Sequence, residues 1–341
     1  MTDSKFQPPF LKWVGGKTQL ITKIIDKFPD EMDNYHELFL GGGSVLLALL
    51  SLQKQRKKVI KDTIYAYDIN PILINVYKHI QTNKDELFKY VTHYITKYDS
   101  ITKFNIDVDE PSSKPTDKTT LEYKQWTNSS EYKQWKRAIY DKRNPTTINI
   151  AISSKESYYY WMRHKFNRMD KSSIECSALF MIMNKLGFRG MYRENKKKEL
   201  NIPFGNYKTT PTIITKGELD TVSDLIKDVV FMTSNFINSI KNVHVGDFVY
   251  LDPPYAPETD DSFVGYTSDG FDLDTHKTLF QEIKTLHTKK VKFVMSNAKV
   301  DLVVDYFKEL GVDCKCEEVE ARRAINSKKP GSTTTEVIIY N

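Results

Sequence analysis

Tyr35-His-Glu-Leu-Phe-Leu-Gly-Gly-Gly-Ser-Val-Leu-Leu-Ala-Leu-Leu-Ser-Leu52, followed by Thr63-Ile-Tyr-Ala-Tyr-Asp68, sets the fold class of this chain. The pattern predicts a short strand at Tyr35–Phe39, a turn on Gly41-Gly42-Gly43, and a helix over Val45–Leu52. That helix is apolar on every face and is therefore expected to be buried. Thr63–Tyr67 reads as a second strand ending at Asp68, and Asn70-Pro71 opens the next helix with proline in its first turn. Strand, glycine turn, helix and acid-ending strand make one βαβ unit. Working outward, a helix is expected at about Thr18–Lys27. Beyond residue 215 the rhythm resumes, with strands at Val229–Thr233, Asp247–Leu251, Val291–Ser296 and Glu336–Tyr340 and helices at Asp274–Leu286 and Val300–Leu310. Both stretches are expected to build one sheet, so the chain reads as an α/β protein interrupted by an insert.

The insert has a different texture. Residues 99–157 are polar and turn-rich, as in Pro111-Ser-Ser-Lys-Pro115 and Arg143-Asn-Pro-Thr-Thr147, and they repeat Glu122-Tyr-Lys-Gln-Trp126 as Glu131-Tyr-Lys-Gln-Trp135. The nine-residue offset matches no solenoid period, so the repeat reads as a short duplication on a helix. Its Tyr and Trp residues either stack on a nucleic acid or pack the insert onto its neighbour. Residues 158–190 turn helical, with Ile174–Lys185 strongly apolar. Gly187–Tyr207 then reads as turn-rich, with Lys196-Lys-Lys198 at a hairpin tip that is either a solvated turn or a phosphate contact.

The chain has 341 residues, 40% of them hydrophobic, with 20 Tyr, 18 Phe and 4 Trp. That is enough for one large domain or two smaller ones, and far too aromatic for a disordered chain. Cys176, Cys314 and Cys316 cannot make a secreted disulfide framework, and the lone Cys314-x-Cys316 lacks a second ligand pair, so no metal site is expected. No N-terminal stretch reads as a signal peptide, and the longest apolar run, Ser44–Leu52, is about half of a membrane span. A soluble, cytoplasmic protein is expected. Net charge is +6, unevenly spread: residues 121–215 carry 18 Lys+Arg against 8 Asp+Glu, a net of +10, and the remainder nets −4. A basic segment in an acidic frame points to a polyanionic partner or to a solvated charged surface.

Three motifs carry chemistry. Asp252-Pro-Pro-Tyr255 follows the apolar strand Phe248–Leu251, where ligands of open α/β sheets bind. Neither proline supplies an N–H, so the carbonyl of Pro253 is free to join Asp252 as a pair of acceptors for the amino group of a planar base. Tyr255 offers a face for stacking. A generic strand-ending turn explains the prolines but not the Asp and Tyr together. Glu37–Ser44 supplies a glycine turn and a helix N-terminus for close approach to a ligand. Asp68 is placed to hold ribose hydroxyls, or else simply caps the next helix. Phe10-Leu-Lys-Trp-Val-Gly-Gly-Lys17 lacks the Gly-x4-Gly-Lys-Ser/Thr spacing of a P-loop, so it argues against ATP binding; alone it is also compatible with a structured arm.

In this order the three motifs resemble the Dam-type (D12 class, α group) site-specific DNA N6-adenine methyltransferases. The resemblance extends to Arg163-x-x-Phe166-Asn167, Gly187-Phe-Arg-Gly-Met-Tyr-Arg193, Asn201-Ile-Pro-Phe-Gly-Asn-Tyr207, Arg322-Arg-Ala-Ile-Asn-Ser327 and Glu336-Val-Ile-Ile-Tyr340, and misses only about 99–157. It implies a Rossmann-like, S-adenosylmethionine-dependent methyltransferase sheet formed by residues 1–85 and 215–341. Residues 86–214 would be an inserted, mainly helical DNA target-recognition domain carrying a β-hairpin. It implies S-adenosyl-L-methionine as cofactor, contacted by Trp13, Lys17, Phe39, Gly41, Gly43, Asp68, Asn235, Phe236 and Asp252. Asp252, Pro253, Pro254 and Tyr255 would be catalytic on a flipped adenine. Lys12, Phe188, Arg189, Met191, Arg193, Asn195 and Pro203 would meet double-stranded DNA, with Arg193 on a guanine edge, Met191 and Pro203 at a thymine methyl, and Phe188 wedged into the duplex.

The sequence departs from the family pattern at Leu38, which stands for a proline, at Asn235, which stands for an acid, and at Arg189, which stands for an asparagine. The expected target is a short GATC-like or CATG-like palindrome, and a restriction endonuclease acting on the same site is an expected companion. Two alternatives remain open at this stage: cytosine-N4 methylation, which more often goes with Ser or Asn in place of Asp252, and a catalytically inert DNA-binding protein on the same fold.

Overall fold

The computed structural model describes residues 6–255, 271–300, 303–305, 307, 313–322 and 333–341. The chain forms two compact units, Met1–Lys84 with Ile214–Asn341, and Asp85–Ile213.

In the first unit, β1 (Glu31–Met32) and β3 (Val59–Ile60) form a small parallel pair. The main sheet holds β2 (Tyr35–Glu37), β4 (Ile64–Asp68), β5 (Val229–Thr233), β6 (Phe248–Leu251), β7 (Lys292–Ala298), β8 (Lys315–Arg322) and β9 (Thr333–Tyr340), in the order β5-β4-β2-β6-β7-β9-β8. The first five strands of that order run parallel, and β9 runs against both of its neighbours. The unit's helices include α1 (Ile21–Ile25), α2 (Ser44–Lys54), α3 (Pro71–Thr82), α10 (Lys216–Leu225), α11 (Phe236–Ser239) and α12 (Leu273–Thr288).

The βαβ unit has a physical basis at each joint. Every residue of α2 from Ser44 to Leu52 is buried, so its all-round apolarity is matched by sheet and helices on every side. Asn70 caps α3, its Oδ1 accepting from the N–H groups of Ile72 (3.0 Å) and Leu73 (3.2 Å), with Pro71 at the first helical position. The alternative of Asp68 as that cap is thus overturned. The helix expected at Thr18–Lys27 is only the five residues of α1. Strand β8 was not foreseen, because Lys315-Cys-Glu-Glu-Val-Glu-Ala-Arg322 mixes charge on an edge strand and buries only Val319 among the side chains described. The expected helix Val300–Leu310 and the motif Arg322–Ser327 lie partly outside the described residues.

The order of the sheet decides where chemistry can sit. From β2 the chain proceeds to β4 and β5 on one side, and then from β6 to β7 on the other. The crevice beyond the carboxyl ends of β2 and β6 is therefore a topological switch point.

The second unit comprises α4 (Lys84–Ser100), α5 (Leu121–Trp126), α6 (Ser130–Arg143), α7 (Ile148–Ala151), α8 (Lys155–Arg168) and α9 (Ile174–Leu186). Thr120, Ser129, Thr147, Ser154 and Ser173 cap α5 to α9 in turn through their side-chain oxygens. The Glu-Tyr-Lys-Gln-Trp repeat lies on two helices, not one, because Ser129 starts a new helix between the copies. Its rings pack on each other, Trp126 lying 5.9 Å from Trp135 and 4.9 Å from Tyr132, while Lys124, Gln125, Lys133 and Gln134 face solvent. Packing within the insert accounts for these aromatics.

Residues 187–207 do not form a regular hairpin. Two isolated antiparallel bridges, Gly187 with Phe204 and Glu194 with Leu200, replace the expected ladders. Phe188–Gly190 instead makes a 3-10 turn with Arg189 at φ +58°. One arm takes its partners from α8: Asn167 accepts from Leu200 N–H (2.9 Å) and donates to Leu200 C=O (3.0 Å), while Tyr159 and Arg163 both donate to Ile202 C=O. Among the described residues, no helix is long and apolar enough to cross a membrane.

Candidate active site

Asp252 stands one residue past β6 and is held by two donors on the same oxygen. Lys17 Nζ reaches Oδ1 at 2.7 Å and Ser296 Oγ donates to it at 2.9 Å; among the described residues Oδ2 has no partner. Lys17 is itself buried, its ammonium also donating to Gly15 C=O at 2.6 Å and its N–H to Ser44 Oγ at 3.3 Å. Ser296 is placed by the pairing of β7 with β6 and exchanges a hydrogen bond with the Tyr250 hydroxyl at 2.9 Å. Burial pushes the Asp252 carboxyl above its usual range, and Lys17 followed by Ser296 pulls the other way.

Tyr255 lies under the same cation, with Lys17 Nζ 4.7 Å from its ring centroid, and its hydroxyl donates to Glu336 on β9. Burial raises both groups above their ordinary pKa values. Pro253 is buried and Pro254 is exposed. Glu37, at the end of β2, is fully enclosed and accepts from Tyr35 at 2.7 Å; burial pushes its carboxyl up to about 8, opposed by Tyr35 and reinforced by the charge of Asp252. A neutral carboxylic acid thus backs the site at neutral pH.

The glycine turn lies across the switch point from these groups. Asp68 ties it to β4, Oδ2 accepting from Gly41 N–H and Oδ1 from Asn70 N–H, each at 2.9 Å. Burial raises its pKa, against those backbone donors. Trp13 packs closely against the turn: a Cβ on Gly41 or Gly42 would stand 2.9 Å from Trp13. Gly43, at φ +66°, cradles the Tyr77 hydroxyl 2.3 Å from where a Cβ would be. That hydroxyl is buried and has no hydrogen-bond partner among the described residues. Phe39, Phe236 and Phe271 form a ring of three, with centroids 5.8–5.9 Å apart. Asn235, exposed two residues past the end of β5, caps α11 through Oδ1, which accepts from Asn238 N–H at 2.9 Å.

The candidate DNA residues, other than the exposed Lys12 of the first unit, belong to the second unit. Phe188 is 40% exposed, with the Arg189 guanidinium 5.1 Å from its ring. Arg193 is exposed and held by Asn201, Nε to Oδ1 at 2.8 Å and Nη2 to C=O at 3.2 Å. Asn195 closes the tip, its Oδ1 accepting from Lys197 and Glu199 N–H. Its position is thus that of a turn-former. Met191 is half-buried, and Pro203 accepts from Phe188 N–H at 2.9 Å.

Sequence reasoning named Lys17, Asp68, Asp252 and Tyr255, which the fold brings to one crevice. It gave no role to Ser296, Tyr77 or His276, and it quoted Glu37 and Glu336 only as parts of motifs. Among the described residues no cluster of three or more His, Cys, Asp or Glu is arranged to hold a metal.

A mostly parallel α/β sheet with a glycine turn and an Asp-Pro-Pro-Tyr turn at its switch point is consistent with a methyltransferase fold. The chain belongs to the D12 class of N6 adenine-specific DNA methyltransferases, whose family profile matches residues 13–325. It is 30% identical to the type II methyltransferase M.MjaIII of Methanocaldococcus jannaschii over 98% of both chains. It is 28% identical to the type II methyltransferase M1.LlaDCHI of Lactococcus lactis subsp. cremoris, over 98% of this chain and 95% of the relative. The DNA adenine methylase of Haemophilus influenzae is 27% identical over 93% of this chain and 87% of its own. The protein is a site-specific DNA adenine-N6 methyltransferase, and its substrate is double-stranded DNA.

Proposed function

We propose that the first unit binds S-adenosyl-L-methionine and a flipped adenine side by side, and that the second unit selects the sequence around that adenine. One observation carries the catalytic half: Lys17 and Ser296 both occupy Oδ1 of Asp252, so Oδ2 is held in place with its lone pairs unspent. Bound S-adenosyl-L-methionine supplies an electrophilic methyl group. Trp13, Lys17, Phe39, Gly41, Gly43, Asp68, Asn235 and Phe236, with Asp252 at the boundary, are the residues that would hold it. The orphaned Tyr77 hydroxyl beneath Gly43 and the side-chain-free glycine turn fit a polar ligand laid on the backbone.

The exocyclic amine of adenine is a poor nucleophile because its lone pair is delocalised into the ring. Asp252 Oδ2 and the Pro253 carbonyl would accept hydrogen bonds from its two N–H groups and stabilise the positive charge that develops on nitrogen as it gains the methyl group, and one of these two protons would then be given up to solvent. Pro254 keeps this turn rigid, and Tyr255 stacks on the purine, its plane fixed by Glu336 and Lys17. The base must leave the duplex to reach this site. Lys12, Phe188, Arg189, Met191, Arg193, Asn195 and Pro203 form the DNA-facing set, with Arg193 reading a guanine edge. The target is a short palindrome of GATC or CATG type, and a restriction endonuclease cutting the same sequence is the expected companion.

The test is to incubate the protein with methyl-labelled S-adenosylmethionine and unmethylated duplex DNA, digest to nucleosides, and identify the labelled one. Label in N6-methyladenine at one palindrome is expected. Label in N4-methylcytosine, or none despite DNA binding, would sink the reading.

A further inference from the structure

The Asp-Pro-Pro-Tyr turn is fixed from behind by a side chain with no part in the chemistry described so far. His276, in the first turn of α12, is fully buried, and its Nε2 lies 3.2 Å from the carbonyl oxygen of Pro254, 22 residues earlier. Its Nδ1 lies 3.0 Å from the carbonyl of Asp272. Both ring nitrogens therefore face acceptors, and a neutral imidazole has one N–H to give. The two carbonyls are not equivalent. Asp272 C=O already receives the backbone N–H of His276 at 3.0 Å, whereas Pro254 C=O has no other donor among the described residues.

The surroundings fix the ring. The edge of Phe271 meets it at 4.6 Å and 87°, and Phe280 lies 6.1 Å away. Phe271 also belongs to the ring of three aromatics with Phe39 and Phe236. Burial lowers the imidazole's pKa, outweighing the Asp272 and Pro254 carbonyls and the charge of Asp272, which pull the other way, so the ring is neutral at physiological pH. The Pro254 carbonyl belongs to the peptide plane joining Pro254 to Tyr255. Holding that plane sets both the direction in which the Tyr255 ring leaves the backbone and, through the stiff proline pair, the aim of the Pro253 carbonyl.

We infer that His276 is a positioning residue: Nε2–H donates to Pro254 C=O and fixes the turn that presents the Pro253 carbonyl and the Tyr255 ring to the target adenine. The inference rests on the catalytic reading of Asp252–Tyr255 above.

Three replacements separate this role from simple packing. His276→Gln places an amide N–H near the position of Nε2, His276→Asn places one near Nδ1, and His276→Leu removes both. The expected result is kcat within about threefold of wild type for Gln. For Asn and Leu, kcat falls about 10- to 100-fold, the scale of a small misplacement of reacting groups. DNA affinity and KM for the methyl donor should stay within about threefold in all three. A 2-aminopurine at the target position reports base flipping, and its fluorescence on binding should follow kcat across the series. Equal losses in Gln and Asn at matched melting temperatures would overturn the inference, as would full activity in Leu. Asp252→Ala in the same assays tests the underlying reading: if it still methylates, the catalytic assignment fails, whatever the His276 series shows.

Discussion

Asp252 gains its usefulness from the asymmetry of its partners. A carboxylate in bulk water presents two equivalent oxygens that rotate freely; here Lys17 and Ser296 engage one and orient the other. A hydrogen bond to a charged group contributes about 1.5–3 kcal/mol, so Ser296→Ala should lower kcat roughly 10- to 100-fold with little change in DNA affinity, measured by steady-state methylation on a single-site duplex. Asp252→Ala should cost at least about 10²- to 10³-fold, the scale of losing a preorganised electrostatic contact. Glu37 allows a pH test. Its carboxyl is raised from 4.5 to about 8 by burial, so the folded protein holds a proton there that the unfolded chain releases. Stability from this group is therefore complete below about pH 4.5 and is lost as pH rises through about 8. Glu37→Gln, which cannot ionise, should melt higher relative to wild type at pH 9 than at pH 5.5. An offset that does not change with pH would mean that the carboxyl is already ionised in the fold.

At the scale of elements, the turn between β2 and α2 tolerates no side chain. Gly43→Ala imposes a left-handed backbone on alanine, about 1–2 kcal/mol, and drives its methyl into the Tyr77 hydroxyl. Combining it with Tyr77→Phe removes the nearest clash and leaves the next ring atom at 3.1 Å. The double variant should therefore recover part of the lost melting temperature, and thermal melts of the two single variants and the double measure that coupling. This element was legible from sequence because its signals are local: an apolar run, three glycines, and an Asn-Pro cap all lie within a few residues. Ser296, Glu336 and His276 were not, because their partners lie 44, 81 and 22 residues away and only the sheet order brings them together. The ribbon at 187–207 pairs its arms antiparallel, as expected, but irregularly, for a related reason. Its arms exchange only a few backbone hydrogen bonds, and Leu200 and Ile202 bond instead to side chains of α8, of which a pattern of turns and apolar residues carries no sign.

For the molecule as a whole, charge is divided between the two units as it is along the chain. The segment 121–215, with its net +10, falls almost wholly in the second unit, which as a whole carries 23 Lys+Arg against 15 Asp+Glu, a net of +8, while the sheet unit, with 27 against 29, nets −2. DNA affinity should fall steeply with salt, with a slope of about 0.9 per phosphate neutralised. Arg193→Ala tests what the charge alone does not. If the residue reads guanine, it should cost about 1–3 kcal/mol of discrimination between the target and single-base variants, with a nearly unchanged salt slope. A uniform loss across all sequences, with a shallower slope, would make it a phosphate contact. Competition binding at several ionic strengths distinguishes the two.

The pairing of β2 with β6 also bears on how the protein is made. Tyr35 faces Phe248 at the centre of the sheet, yet more than two hundred residues separate them in the chain. At a translation rate of about 5–20 residues per second, roughly 10–40 s pass between the emergence of the two strands. Until β6 arrives, β2 has an unpaired edge and the apolar α2 lacks its full covering, while the whole intervening helical unit is made. The nascent chain therefore carries a sticky, half-built sheet for most of its synthesis, and its yield in cells should depend on holdase chaperones more than its finished stability suggests.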